Sequence, residues 1–488
     1  MFNILLISFM CLNSCSKDKE ISAPIDIVPN TPVAEAQTKS FEVRIKSAGG
    51  NWIAATVDSF AKQYMYNGAL TAEPQFSIFE ADGDVEVEVK VKEPISFYKL
   101  RPSNNGITVN KAGQTLSFVM NKNTRQLCLE INEQKKKPFL LFKNPVEKNA
   151  PTASSATIQY FGPGYYKVIG NGAIVSLKTG SISQPEIIYF AKGAVVEGRI
   201  DLNGASNVVV RGSGILYNPP KNVSGGNYTA INITNCSNVK IDGITCVSRP
   251  DNWGVRLTAS DAVEFNNFKL MNEIRDGLDP LNSQNIKVKN SFIMSHDDAF
   301  CLKGVKSGNN EPVENILMDS CILANMGGGN TLELGYESIT PYYKNITFSN
   351  IWIIYSLPNG TSPDPKWPEG IITIHPTQMT EYNDPLYMGT MPPIENVTYK
   401  NIQIESCEDD FIVDIFPNRN SPGSGIKNIN FENITVIDSP LRPSKIIARD
   451  DHPISNISFS NFTILGNTVK SASQGDFIVE KAVNVVFK

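Results

Sequence analysis

Three aspartates stand out in the stretch RDGLDPLNSQNIKVKNSFIMSHDDAFCLKG, residues 275–304. Asp276 precedes Asp297 by 21 residues and Asp298 by 22. Carboxylates brought together raise the pKa of at least one of them, because like charges resist ionising side by side. The result is one protonated acid beside ionised partners, which is what hydrolysis of a glycosidic bond requires. A reaction that inverts the anomeric centre also needs room for a water, about 6.5–9.5 Å between acid and base. Neighbouring residues of a flat strand point to opposite faces. Asp297 and Asp298 can therefore share a site only at a bulge or corner, and Ser295-His296 just before them suits a corner. Asp279 is expected to brace the loop. Lys303 would face the groove or pair with an aspartate, and Arg275 would hold substrate oxygens or balance the carboxylates. A single Asp beside Gly is more often a turn residue. The spacing of all three is what points to catalysis.

That spacing matters only if the chain repeats at about the same length. Short β-runs recur as NVVVRGSGI from Asn207, NVKIDGITC from Asn238, NIKVKNSFI from Asn285 and NILMDSCIL from Asn315. NITFSNIWI from Asn345, NVTYKNIQI from Asn396, NINFENITV from Asn428 and NISFSNFTI from Asn456 continue the series. AVEFNNFKL from Ala262 fits the frame without the opening Asn. Starts are 23 to 32 residues apart, with one gap of 51 between Asn345 and Asn396. Each unit holds two short strands and a bend, and Asn tolerates the left-handed backbone of a sharp corner. Stacked units pair their backbones with the coils above and below, about 4.8 Å away. The expectation is a right-handed parallel β-helix over residues 151–488. A propeller would need longer repeats of four strands each. The gap contains two Pro/Gly-rich excursions, and long loops on a solenoid usually border the binding groove.

Residues 41–150 read differently. VEVEVKVKE, ITVNKAG, TLSFVMN and QLCLEIN alternate apolar and polar positions between Gly/Asn/Asp turns, which predicts a small β-sandwich. It is expected to cap the first coil. Residues 21–40 are rich in Pro, Ala, Ser and Thr and read as a flexible linker. Residues 1–20 read as a lipoprotein signal and anchor site. Their apolar run ends in Leu12-Asn13-Ser14-Cys15, with Cys15 the lipidated residue and a charged run behind it. The expectation is export to the outer membrane or cell surface, or to the periplasm, with membrane contact only through that anchor.

Net charge is −5, with 44 basic and 49 acidic residues, so nothing favours a nucleic-acid partner. The six cysteines after the signal form no CxxC pair and are expected as small buried hydrophobes. With three histidines in all, a His-rich metal site is not expected. No cofactor is expected, and the chain is expected to act as a monomer on a polysaccharide or oligosaccharide.

The aspartate segments resemble the polygalacturonase family of glycoside hydrolases. DGLDP followed one coil later by HDD is similar to that family's Asn-Thr-Asp-Gly-x-Asp and Gly-Asp-Asp segments. PDNWGVRL (Pro250 to Leu257) resembles its preceding strand, and GGGNTLELG (Gly327 to Gly335) its Gly-His-Gly segment. The order of domains, with FGPGYYKV and YFAKGAVVEGRIDLNG opening the solenoid, resembles the related dextranase and isopullulanase family. The resemblance implies that Asp298 is the general acid, that Asp276 and Asp297 hold and deprotonate the attacking water, and that the reaction inverts without a metal. This chain departs from the family's pattern at several positions. Ile274-Arg275 replaces Asn-Thr, Asn330 stands for the histidine, and Thr373-Ile374-His375 falls where a carboxylate-holding Arg-x-Lys belongs. With Glu333 adding negative charge, a neutral or an unusual glycan is expected rather than pectin. Substrate contacts are expected from Lys303, Asn330, Glu333, His375, Arg275 and Asp279. Trp253 and Trp367 could stack on sugar rings, Tyr336 less strongly. Two other readings compete: a polysaccharide lyase or epimerase using calcium on the same solenoid, and a non-catalytic glycan-binding β-helix.

Overall fold

The computed structural model describes residues 25–28 and 39–488, apart from 61–64, 67–68, 169–173, 178–185, 220–227, 251, 273, 306–309, 358–369, 378–390, 409–410, 418–422 and 441. Residues 41–144 form two facing sheets. One has five strands, with Val85–Val91 at its centre between Phe41–Ser47 and Thr115–Met120. The other has four, in which Phe139–Asn144 pairs antiparallel with Gln126–Ile131 and parallel with Gln75–Glu80. Val87, Val89, Leu116, Leu129 and Phe139 fill the space between them, each 0 % exposed. The alternation in VEVEVKV thus produces the expected sandwich, its valines inward and its charges outward.

The rest of the chain coils. A 21-stranded sheet and an 11-stranded sheet run along the molecule, and strands of successive coils pair in parallel. The asparagines act as expected at the bends. Opening residues such as Asn285, Asn315, Asn345 and Asn396 have φ of 54, 57, 56 and 59°, and central residues such as Asn350, Asn401 and Asn433 have φ of 54, 54 and 55°. Side-chain amides also link coil to coil. Asn401 Nδ2 donates to Asn350 Oδ1 at 2.9 Å, and Asn433 Nδ2 to Asn401 Oδ1 at 2.9 Å. Where the opening Asn is missing, at Ala262, Asp261 accepts from Asn285 Nδ2 at 2.7 Å instead. The 51-residue gap is a single coil, since Ile346 pairs with Val397. Inside, Phe348, Tyr399, Phe431 and Phe459 stack with centroids 5.0, 5.0 and 4.6 Å apart. The six described cysteines are buried, as expected.

Two expectations change. The sandwich does not cap the first coil but packs along the flank of the solenoid. Phe60, Phe76, Leu140 and Phe142 share one apolar cluster with Tyr217, Met271, Phe292, Met294 and Tyr355, which come from successive coils. The reason is area. One coil end offers few apolar side chains, whereas the flank offers a row of them over many coils. Within the stretch expected as linker, Ile25–Val28 forms a strand antiparallel to Gly164–Val168, and so supplies hydrogen bonds to the open edge of the first coils.

Candidate active site

The aspartates sit beside the 11-stranded sheet. Along Leu278–Leu281, Phe300–Gly304 and Leu332–Ser338 side chains alternate between core and outer face. Leu278, Phe300, Leu302, Leu332 and Leu334 enter the core. Asp279, Cys301, Lys303 and Glu333 take the alternate positions. Asp276 lies just before its strand, and Asp297 and Asp298 occupy the bend between Phe292–Ser295 and Phe300–Gly304. The required corner is therefore present, and the Ser295 hydroxyl closes it by donating to the Asp297 carbonyl at 2.7 Å.

Neighbouring coils approach closely here. Gly277 N–H donates to the Asp298 carbonyl at 2.7 Å. A Cβ at Gly277 would stand 2.4 Å from the Ala299 carbonyl oxygen, so no larger residue fits. At Gly329, with φ of +74°, a Cβ would stand 2.4 Å from Asp297 Oδ1. The one-coil offset thus brings the three aspartates together: one oxygen from each lies within 4.8 Å of the others. That is closer than the acid–base span expected of an inverting site, because all three side chains lean into one corner. Asp276 and Asp298 are buried, and the Asp297 side chain is 40 % exposed.

Lys303 lies at the centre of the charge. Its Nζ is 2.5 Å from Asp276 Oδ2, 3.5 Å from Asp298 Oδ2, 3.6 Å from Glu337 Oε2 and 3.8 Å from Asp279 Oδ1. The same ammonium stands 4.6 Å from the centroid of the Trp253 ring. Burial alone would lower its pKa, but these carboxylates, Asp276 foremost, hold it well above the ordinary lysine value. A divalent ion bridging Asp276 and Asp298 would compete for the place this ammonium takes. Burial, reinforced by Glu333 and Asp276, holds the Asp298 carboxyl well above the usual range. Burial does the same to Asp279, against the pull of Lys303.

A second layer supports Asp298. The Asn330 backbone N–H donates to Asp298 Oδ1 at 2.8 Å, and its side-chain amide donates to Glu333 Oε2 at 3.0 Å. Gly370 N–H donates to the Asn330 side-chain Oδ1 at 2.8 Å and so fixes the amide. Behind Glu333 lies His375, with Nδ1 3.7 Å from Glu333 Oε1 and Nε2 3.4 Å from Asp414 Oδ2. Burial pulls the imidazole down, but Asp414 and Glu333 outweigh it and raise its pKa to about 9. Glu333 is held below the usual value, since His375 more than offsets its burial.

The structure gathers Asp276, Asp279, Asp297, Asp298, Lys303, Asn330 and Glu333 as the sequence suggested. Arg275 Nη1 lies 3.9 Å from Asp297 Oδ2, which places it among the carboxylates. Four expected substrate contacts are corrected. Asn330, Glu333 and His375 are 2, 0 and 0 % exposed and face other protein groups. They point along the stacked coils, where the next rung covers them. Asp279 is likewise 0 % exposed, consistent with a brace. Trp253 is half-buried, and the Tyr336 ring meets His375 edge-on at 5.8 Å. Trp367 and Cys15 lie outside the described residues. Glu337 and Asp414 were missed. Alternation puts Glu337 on the face of Glu333, and the register shift between Leu302 and Gly304 brings it beside Lys303, which counting one residue per rung does not foresee. Asp414 sits inside the apolar run FIVDI but is in register with Thr373 and, through it, Glu333. Aligning polar interruptions across coils would have found it.

No family model matches the sequence, and no curated protein matches it. Among solved structures the chain is similar to Dex49A from Penicillium minioluteum, with a TM-score of 0.67 and 15 % identity over 93 % of this chain and 96 % of that one. This is a right-handed parallel β-helix preceded by a β-sandwich. The Family 28 exopolygalacturonase of Yersinia enterocolitica matches with a TM-score of 0.45 and 11 % identity over 83 % of this chain and 96 % of its own. The polygalacturonase of Erwinia carotovora ssp. carotovora matches with a TM-score of 0.43 and 15 % identity over 70 and 98 %.

Proposed function

We propose that the chain is a glycoside hydrolase acting on a neutral polysaccharide or oligosaccharide; inversion at the anomeric carbon rests on the resemblance of its aspartate segments to polygalacturonases and not on the carboxyl spacing, which is shorter than the usual inverting span. The observation that carries this is the corner where oxygens of Asp276, Asp297 and Asp298 come within 4.8 Å of one another while Asp298 is buried and holds its proton above the ordinary carboxylate range. Asp298 is the general acid and protonates the leaving glycosidic oxygen. Asp276 and Asp297 orient the attacking water, and Asp297, the more exposed, takes its proton. A water accepted by two carboxylates at about 2.7–2.8 Å each needs oxygens no more than about 5.5 Å apart, which this spacing satisfies. Lys303 fixes Asp276 and is not itself a base, because its neighbours hold it protonated. A lyase base would need the opposite shift, which disfavours the lyase reading. Thr373-Ile374-His375 stands where the polygalacturonase pattern has its carboxylate-holding Arg-x-Lys, which favours a neutral sugar over an anionic one.

The test is a reducing-sugar assay against dextran, pullulan, polygalacturonan, rhamnogalacturonan and arabinogalactan, with Asp298→Asn and a parallel set in EDTA. EDTA-resistant release that falls by about 10²–10⁴-fold in Asp298→Asn is expected. Release that stops in EDTA with unsaturated products would instead identify a lyase. Proton NMR of the first-formed product should show inversion; retention would recast Asp297 as a nucleophile.

A further inference from the structure

A column of buried ionisable groups runs from Asp298 along three further coils: Asp298, Glu333, His375 and Asp414. The side chains of Glu333, His375 and Asp414 are 0, 0 and 1 % exposed. Oxygens of Asp298 and Glu333 lie within 4.8 Å of one another, and the Asn330 amide spans both, 3.4 Å from Asp298 Oδ1 and 3.0 Å from Glu333 Oε2. Two buried carboxyls at that distance hold one proton between them, because ionising both is costly. Something must decide which one keeps it. His375 touches Glu333 from the side away from Asp298, and Asp414 closes on its other nitrogen.

We propose that His375, clasped between Glu333 and Asp414, is a positioning residue that puts the negative charge on Glu333 and so leaves the shared proton on Asp298. The catalytic consequence rests on Asp298 being the general acid; the proton assignment itself does not.

The other charged and titratable groups around the column are few among the described residues. Asp298 also faces Asp276, Asp297 and Lys303. Glu333 also faces Lys303, and the Cys301 thiol lies 3.4 Å from it. His375 meets the edge of Tyr336. Lys445 follows Asp414 in register, but its ammonium stands 4.2 Å from the centroid of the Phe411 ring. His375 is therefore, among the described residues, the cation that lies within 4 Å of Glu333.

The sign of the effect makes the proposal testable. A cation that acted on Asp298 only through space would lower its pKa, so removing it would raise that pKa. A cation that acts by keeping Glu333 ionised does the reverse. Without it the proton can pass to Glu333, and Asp298 ionises at lower pH. The probe is pH-difference infrared spectroscopy of protonated carboxyl groups on the full chain without substrate. The Asp298 signal is obtained by subtracting Asp298→Asn in the wild-type background and again in His375→Gln. In His375→Gln its titration midpoint should fall by about one pH unit or more. Asp414→Asn, which keeps the shape of the side chain, should shift it in the same direction by less, and serves if His375→Gln does not fold. A midpoint that stays put or rises in a folded variant would overturn the proposal. Activity of Asp298→Asn is a separate measurement: if it stays at the wild-type level while the midpoint falls as stated, the proton assignment stands and the hydrolase reading fails.

Discussion

At the scale of single residues, environment divides the work among chemically identical side chains. Asp298 is buried, with Glu333 beside it, and its pKa stands well above the usual carboxylate range; the side chain of Asp297, a residue away, is 40 % exposed. With Asp298 as the proposed general acid, activity should persist above the ordinary carboxylate range and fall as pH rises through the raised pKa of Asp298. Glu333→Gln removes the charge that helps keep that proton, so the alkaline limb of its pH–rate profile should move to lower pH. His375 makes a second pH prediction. Its pKa is about 9 against the usual 6.5, so its contribution to stability is complete below 6.5 and is lost as pH rises through 9. Urea unfolding of wild type minus His375→Gln should show that loss between pH 6.5 and 9. The subtraction is needed because buried Lys269, lowered by burial to about 7, contributes the opposite slope.

At the scale of elements, the solenoid depends on its corners. Asn401 combines a φ of 54° with side-chain amide bonds to Asn350 and Asn433. Two substitutions separate these contributions. Asn401→Gly keeps the backbone conformation and loses the ladder; Asn401→Ala loses both. Alanine should therefore be less stable than glycine by about 1–2 kcal/mol, the cost of a left-handed non-glycine residue. Equal midpoints in urea would mean that the ladder, and not the backbone, selects Asn.

At the scale of the whole molecule, the sandwich and the solenoid are joined by an apolar seam with a buried charge cluster at one end. Arg101 donates to Glu130 Oε2 through Nη2 at 2.8 Å and to Glu405 Oε2 through Nη1 at 3.1 Å, and its guanidinium lies 4.7 Å from the centroid of the Tyr355 ring. All three charged side chains are 3 % exposed or less. Arg101→Leu leaves two buried carboxylates without their cation and should cost about 3–5 kcal/mol. Calorimetry should show a lower Tm, and a domain that undocks early would add a second transition. A lipid anchor remains our proposal at this scale. Cys15→Ala should move the protein from the membrane fraction to the soluble one, and an unchanged distribution would remove Cys15 from that role.

How much of this was legible beforehand depends on whether the signal is local. The repeat of Asn and alternating apolar residues, VEVEVKV with its valines inward, and the 21–22 residue offset of the aspartates are properties of backbone preference and strand period. Any chain with them coils in this way, so sequence alone determined the β-helix, the sandwich and the meeting of Asp276 with Asp297 and Asp298. Contacts between distant segments follow no such period. Glu337 was missed because a register shift, and not alternation, brings it beside Lys303, and His375 looked like a substrate contact until Glu333 and Asp414 closed on it from neighbouring coils. The docking of the sandwich on the flank was settled by which apolar surfaces were largest once both domains had formed. Tertiary structure alone decided those points, because burial and ion pairing belong to side chains that meet only after the coils have stacked.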